Sequence, residues 1–273
     1  MSKSVKMPAS IVHSKSAQYG PVCPLRVARE LQSWGVLGNY HLLLAHDVVK
    51  DPKGYAEVYD DPNNFIIMDN SAAELKAPVD LEMLLEAGHA VNADCLVLPD
   101  FLLQKDATIK GHLDAVSTLE GRWANDYMAL PQGETFHDWV SCVNELVWAL
   151  PKKARYFGIP RNVKEKLGTS RVEAVKAIYM LDPIQTRKYH LFGFSDDLWD
   201  DLAAAHMKYN GYGRIIGIDS AVPVRMGYNR VGLHPLQKDP GPRGDWWDNP
   251  GDFSPQVINN LTEMRAWLRG GRS

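Results

Sequence analysis

The strongest constraint on this chain is a repeated change of hydrophobic period. Short apolar runs of strand character fall at Ser10–His13, Tyr40–Ala45, Phe65–Asp69, Cys95–Asp100, Tyr127–Leu130, Arg155–Arg161, Tyr189–Gly193 and Arg214–Ile218. Helical patterns lie at Pro24–Trp34, Pro78–Val91, Ala107–Leu119, Glu134–Leu150, Ser170–Leu181, Asp196–Lys208 and Pro255–Leu268. Strands separated by helices predict a parallel sheet, because a parallel strand can return to the sheet only through a crossover. Eight such units predict closure into an α/β (β/α)8 barrel of TIM type, one domain spanning residues 1–273. A doubly wound open sheet is the competing arrangement.

Length and composition fit that reading. The chain has 273 residues, of which 45% are hydrophobic and 23% charged, enough to bury a sizeable core in one large domain. A formal charge of −3 supplies no global basic field, so any nucleic-acid site has to be a local patch. Cys23, Cys95 and Cys142 are widely spaced, which argues against a disulfide scaffold or a cysteine-rich zinc site and fits a reducing compartment. The first residues lack the apolar core of a signal peptide and no run reaches transmembrane length. The expectation is a soluble cytoplasmic protein with no membrane partner. No G-x-G-x-x-G or P-loop follows a strand, which leaves dinucleotide and nucleoside-triphosphate readings without support.

One stretch within the rhythm is polar, and one long segment breaks it. Asp47–Asn64 is polar, with Asp51-Pro52 and Asp61-Pro62 as turn signals. Val222–Ser254 is rich in Pro and Gly and carries Arg225, Arg230, Lys238, Arg243, Trp246 and Trp247. It reads as a structureless insertion at the barrel mouth, either a binding loop or a segment whose tryptophans pack on the barrel. Guanidinium groups suit phosphates and indoles stack on bases, whereas Asp239, Asp245 and Asp248 dilute the basic character.

The chemistry-bearing residues cluster at strand ends. Asp69, Asp100, Gln132, Gly158 and Asp219 all fall at or just beyond the C-terminal ends of strand runs, the face on which such barrels assemble reactive groups. Several carboxylates and an amide with few cationic neighbours suit a positively charged transition state, as in glycosidic cleavage, where one carboxylate attacks the anomeric carbon and another handles the leaving-group proton. An Asp beside an amide also offers the acceptor and donor edges that read a guanine-like base. The alternative is that these aspartates cap helices or anchor loops.

The order of these segments resembles the tRNA-guanine transglycosylase superfamily, particularly the compact phage enzymes that insert 7-deazaguanines into DNA. Asp219-Ser-Ala-Val-Pro223-Val-Arg225 is similar to the family's nucleophile segment, keeping Asp, Pro and Arg at the same spacing. Met68-Asp69-Asn-Ser71 resembles its early Asp-Ser-Gly-Gly, and Leu130-Pro-Gln132-Gly133 its Val-Gln-Gly-Gly. Phe157-Gly158-Ile159 loosely resembles its Gly-Gly-Leu turn and Tyr189-His-Leu-Phe-Gly193 its Tyr-Leu-Met-Gly strand, and Asp100 stands where the family reads the base. The matches run over roughly residues 40 to 230. Asp69 lacks the glycines that follow it in the family, and the family's zinc site and most of its zinc-bearing insertion are missing.

The resemblance implies exchange of guanine in DNA for a 7-deazaguanine base, with tRNA as the alternative polymer. Asp219 would be the nucleophile and Asp69 the general acid/base. Asp100, Gln132, Gly133, Gly158 and Ser71 would bind the base, and Arg225 and Arg230 the nucleic acid. No metal or cofactor is implied, and whether two copies pair as a homodimer stays open. Two other classes compete: a metal-dependent barrel hydrolase drawing on His13, His41, His46 and the strand-end aspartates, and a non-catalytic nucleic-acid-binding relative. Close His pairs, the usual mark of the hydrolase, are absent from the sequence.

Overall fold

In the computed structural model, which describes residues 16–182, 187–209, 212–234 and 246–270, eight parallel strands form one sheet. β1 (Gln18–Pro21) leads to α1 (Leu25–Ser33), and β2 (Tyr40–Leu44) to α2 (Ala45–Val48) and α3 (Pro52–Tyr59). β3 (Phe65–Asp69) is followed by α4 (Ala72–Leu75) and α5 (Leu81–Ala90), β4 (Cys95–Val97) by α6 (Lys105–Leu119), and β5 (Asp126–Ala129) by α7 (Phe136–Ala149). β6 (Tyr156–Pro160) precedes α8 (Asn162–Glu165) and α9 (Arg171–Leu181), and β7 (Lys188–Phe192) precedes α10 (Leu198–His206). A small antiparallel pair, β8 (Lys208–Tyr209) and β9 (Tyr212–Gly213), leads into β10 (Ile215–Ser220), then α11 (Val222–Tyr228) and α12 (Pro255–Leu268).

The hydrogen-bonded order is β1-β10-β7-β6-β5-β4-β3-β2, which brings the two ends of the sheet together. At that seam a Cβ on Gly20 of β1 would lie 3.3 Å from the Tyr40 carbonyl oxygen of β2. The result is a nearly closed (β/α)8 barrel, as the alternation predicts.

Side-chain alternation divides two cores. Leu42, Leu44, Phe65, Ile67, Cys95, Val97, Met128 and Leu130 fill the barrel interior, while Leu43, Ile66, Met68, Leu96 and Tyr127 join the layer between sheet and helices. Strands buried on both faces read as continuous apolar runs, which is why these are visible in the sequence. Tyr40 stacks on Phe65 at 5.6 Å, and Tyr156 meets Phe65 edge-on at 5.5 Å. These rings close the interior beneath the mouth.

Three expectations change. The first barrel strand is Gln18–Pro21; Ser10–His13 lies outside the described residues. The polar stretch after β2 holds two short helices, because Asp51 caps α3 through the Gly54 N–H and Pro52 occupies its first turn. In its described part Val222–Ser254 is not structureless: it opens with helix α11, and Asn260 of α12 holds both ends of that helix by donating to the Pro223 and Val231 carbonyls. Lys238, Asp239, Arg243 and Asp245 lie outside the described residues. No helix among the described residues is long and apolar enough to cross a membrane.

Candidate active site

Because the sheet is parallel, every strand delivers its C-terminal end to one rim. Register sets the height: Asp69 pairs with Leu44, and Asp219 with Gly20. Alternation sets the direction, since Asp69 follows Phe65 and Ile67 with the same parity and therefore faces inward. A cavity of about 980 Å³ opens at this rim, and Asp69, Asp100, Gln132 and Asp219 all line it. Its size suits a nucleotide-sized ligand.

The helix-capping alternative fails for all three strand-end aspartates. The first residue of α4 follows Ser71, that of α6 follows Gln104 and that of α11 follows Ala221, and none of these ends carries a side-chain cap. Among the described residues the aspartates at N-cap positions are Asp51, Asp80 and Asp197, each accepting from the backbone N–H three residues on. Among the described residues Asp69 accepts one local hydrogen bond, from the Ser71 N–H at 3.3 Å. These three carboxyl groups sit on the rim without a helix-capping task.

Asp219 has one oxygen fully engaged. Oδ1 accepts from His190 Nε2 at 2.8 Å and from the Gly193 N–H at 3.1 Å, whereas Oδ2 receives no hydrogen bond from the described residues. The loop that brings Gly193 there is clamped from below. Arg171, wholly buried, donates to the Gly193 carbonyl at 2.7 Å, to the Phe192 carbonyl and to Asp201 Oδ1 at 3.1 Å. Asp201 in turn accepts the Ser195 N–H at 2.8 Å. Gly193 itself takes φ +62, a left-handed conformation that a side chain resists.

Asp69 and Asp100 occupy a different environment. Burial pushes the Asp69 carboxyl well above the ordinary carboxylate range, and the Glu74, Asp100 and Asp219 carboxylates push it further the same way. Asp100 is also raised by burial, to about 6, against the opposing effect of hydrogen bonds from Asn70 and Gln132. Those bonds are short: Asn70 Nδ2 to Oδ1 at 2.8 Å and Gln132 Nε2 to Oδ2 at 2.6 Å. Gln132 Oε1 accepts the Leu103 N–H at 3.3 Å, which fixes the amide's orientation. The cavity thus holds one carboxylate pinned by N–H donors, one carboxyl biased towards its protonated form, and one acceptor framed by two amides.

The mouth is less acidic than the sequence suggests. Arg161, Arg225, Lys76 and Lys166 line the same cavity, so the expectation of few cationic neighbours is corrected. Burial and the neighbouring Arg161 guanidinium both lower the Arg225 pKa, which places two positive groups together over an otherwise carboxylate-rich hollow. Trp246 and Trp247 also line it, meeting edge to face at 5.7 Å. Trp246 is buried, and Trp247 is half-buried.

Four expected contact residues stand elsewhere. Gly133 is not on the cavity wall: a Cβ there would lie 2.4 Å from the Trp139 nitrogen, so its service is to let α7 approach. Gly158 faces inward but beneath the wall, leaving room for Phe192 and Leu130, which a Cβ would meet at 2.4 and 2.6 Å. Ser71 is fully buried, adopts φ +63 and accepts the His46 N–H at 3.4 Å, joining the ends of β2 and β3. Arg230 follows α11 and does not line the cavity.

The described histidines stand apart from one another. His41 is buried against the Tyr59 ring at 4.9 Å, and burial holds its imidazole down at about 4. His46 lines the cavity beside Asp47, at 3.5 Å, and His13 lies outside the described residues. Among the described residues no three His, Cys, Asp or Glu side chains converge as ligands.

Sequence reading missed Asn70, Arg161, Arg171 and His190 as parts of this site. His190 shares inward parity with Phe192 and Arg161 directly follows a strand end, signals that were present; nothing local marks Arg171, the first residue of α9, as buried. In comparisons with known proteins, neither a family model nor a curated sequence matches the chain.

Proposed function

We propose that the protein is a guanine transglycosylase that exchanges guanine in DNA for a 7-deazaguanine base. What carries the reading is the unequal treatment of two carboxyl groups facing one cavity. Asp219 is held by two N–H donors on Oδ1 with Oδ2 left for attack, while Asp69 is biased towards its protonated form. That is the division of labour between nucleophile and acid in a retaining glycosyl transfer.

In the first half-reaction, Asp219 Oδ2 bonds to C1′ of the target nucleotide as the C1′–N9 bond breaks. The bonding pair leaves with guanine, and the Asp69 carboxyl supplies a proton to the departing base. In the second, Asp69 carboxylate takes the proton from the incoming 7-deazaguanine, whose ring nitrogen bonds to C1′ and returns the electron pair to Asp219. Asp100, with Gln132 and Asn70 behind it, accepts from the N–H edge of the base. Arg161 and Arg225 hold phosphate, and Trp247 offers a stacking face. A base paired inside a duplex cannot enter such a hollow, so the target is flipped out or single-stranded.

The test is incubation of the protein with labelled guanine and either DNA or tRNA. Label entering DNA supports the proposal, label entering tRNA alone moves the polymer assignment to tRNA, and label in neither rejects the activity.

A further inference from the structure

Within the barrel, behind Asp219, a hydrogen-bonded chain runs Tyr40 to His190 to Asp219. Tyr40 Oη lies 2.7 Å from His190 Nδ1, and His190 Nε2 lies 2.8 Å from Asp219 Oδ1. All three side chains are buried, His190 completely. With Asp219 as a carboxylate, Nε2 must carry the proton; in the neutral imidazole Nδ1 is then an acceptor, and the Tyr40 hydroxyl supplies the proton it accepts. The tyrosine therefore sets the tautomer and the histidine sets the carboxylate.

The fold makes room for this chain at one position. Gly217 of β10 pairs in register with His190, and a Cβ on it would lie 2.4 Å from the Tyr40 ring. Only a residue without a side chain lets the phenol cross the barrel to reach the imidazole. Phe192 meets the His190 ring edge to face at 4.8 Å and limits its rotation.

We infer that His190 is a positioning residue that selects which oxygen of Asp219 attacks, with Tyr40 fixing its tautomer. This rests on the transglycosylase reading above. With Oδ1 occupied by His190 and Gly193, Oδ2 alone is available to C1′. When the C1′–Oδ2 bond forms and C1′–N9 breaks, Oδ1 becomes the carbonyl oxygen of the ester and keeps both donors. When the C1′–Oδ2 bond breaks in the second half-reaction, the pair returns to a carboxylate that the same donors stabilise. One fixed contact thereby serves both directions without rearrangement, as preorganised donors do.

The test uses the full chain, DNA and labelled guanine, measuring kcat and KM for exchange together with thermal melting. His190→Phe keeps the volume and removes the donor; His190→Gln returns an N–H at similar reach. The expected result is a fall in kcat of about tenfold to a hundredfold for His190→Phe, the scale of one charge-assisted hydrogen bond, with KM for DNA unchanged and most of the loss restored in His190→Gln. Wild-type kcat in His190→Phe, or equal losses in the two variants, overturns the inference. If His190→Phe does not fold, Tyr40→Phe decides: a lower kcat at constant KM supports the chain, and wild-type kinetics overturns it. Asp219→Asn separates the two levels. Loss of exchange there, with His190→Phe unaffected, rejects the role of His190 and leaves the activity standing; no exchange by wild type rejects both.

Discussion

Gln132 donates through Nε2 to Asp100 Oδ2 across 2.6 Å, joining the loops after β5 and β4 over the barrel mouth. With Asn70 on the other oxygen, both oxygens of this carboxylate are held by amides at the cavity wall. A planar acceptor held this way suits the adjacent N–H groups of a guanine-type edge.

This arrangement carries a pH dependence whose sign is determined. Asp100 is raised from 3.8 to about 6, and base recognition needs its ionised form. Affinity for a free 7-deazaguanine base should therefore be constant above pH 6 and fall as pH drops through about 6, by about tenfold per unit below it. Asp100→Asn should be weak throughout and lose that limb. The same raised value means the folded chain holds this proton more tightly than the unfolded one. Its contribution to stability is thus full below pH 3.8, declines as pH rises, and is lost above about 6. Calorimetric titration of the base across pH 5 to 8, with a fixed-pH series for Asp100→Asn, checks the assignment.

Arg171 is expected to matter for the fold before it matters for chemistry. It is completely buried and paired with Asp201, itself completely buried, while tying down the Gly193 and Phe192 carbonyls. Arg171→Met leaves Asp201 without its partner, and breaking a buried pair costs about 3–5 kcal/mol. Lys cannot reach this fork of acceptors, so Arg171→Lys should recover little. Denaturant midpoints measure both; near-wild-type midpoints would mean that the clamp is dispensable.

Nucleic-acid affinity should depend on the cations that line the cavity. Arg161→Ala and Arg225→Ala should each weaken DNA binding and reduce the slope of log affinity against log salt by about 0.7 for a single strand or 0.9 for a duplex. Arg230→Ala, which changes a residue outside the cavity wall, should do less. Titrations at several salt concentrations separate these outcomes, and an unchanged slope for both Arg161 and Arg225 variants would remove phosphate from the mouth.

The legible parts of this molecule were those written in one period. Tyr40–Leu44 and Phe65–Asp69 read as strands because both faces are apolar, and the strand-end aspartates stood out because an apolar run ended on each. β1 was not legible: Gly20 and Pro21 make up half of its four residues, and the glycine is there because Tyr40 crowds it at 3.3 Å. Helices α2 and α3 were hidden by polar composition, although Asp51-Pro52 is a start signal as well as a turn signal. His190 is inward by the parity of β7, but its partnership with Asp219 was not readable, because 29 residues separate the two and the register of β7 against β10 that sets them side by side is not written locally. Gly133 and Gly158 were placed against the base by the resemblance alone, and a glycine in a sequence reads the same whether it approaches a ligand or, as here, a neighbouring element.

The most direct measurement of the central claim is a denaturing gel of the wild type and Asp219→Asn, each incubated with guanine-containing DNA in the absence of an incoming base. An amide in place of the carboxylate is nearly isosteric and a poor nucleophile, so its loss of rate should be several orders of magnitude, far beyond the roughly tenfold that corresponds to 1.4 kcal/mol. The account predicts a shifted protein–DNA band for wild type and none for Asp219→Asn, with both proteins melting alike. The same band from Asp219→Asn would contradict it and place the nucleophile elsewhere, with Asp69 the next carboxylate to test.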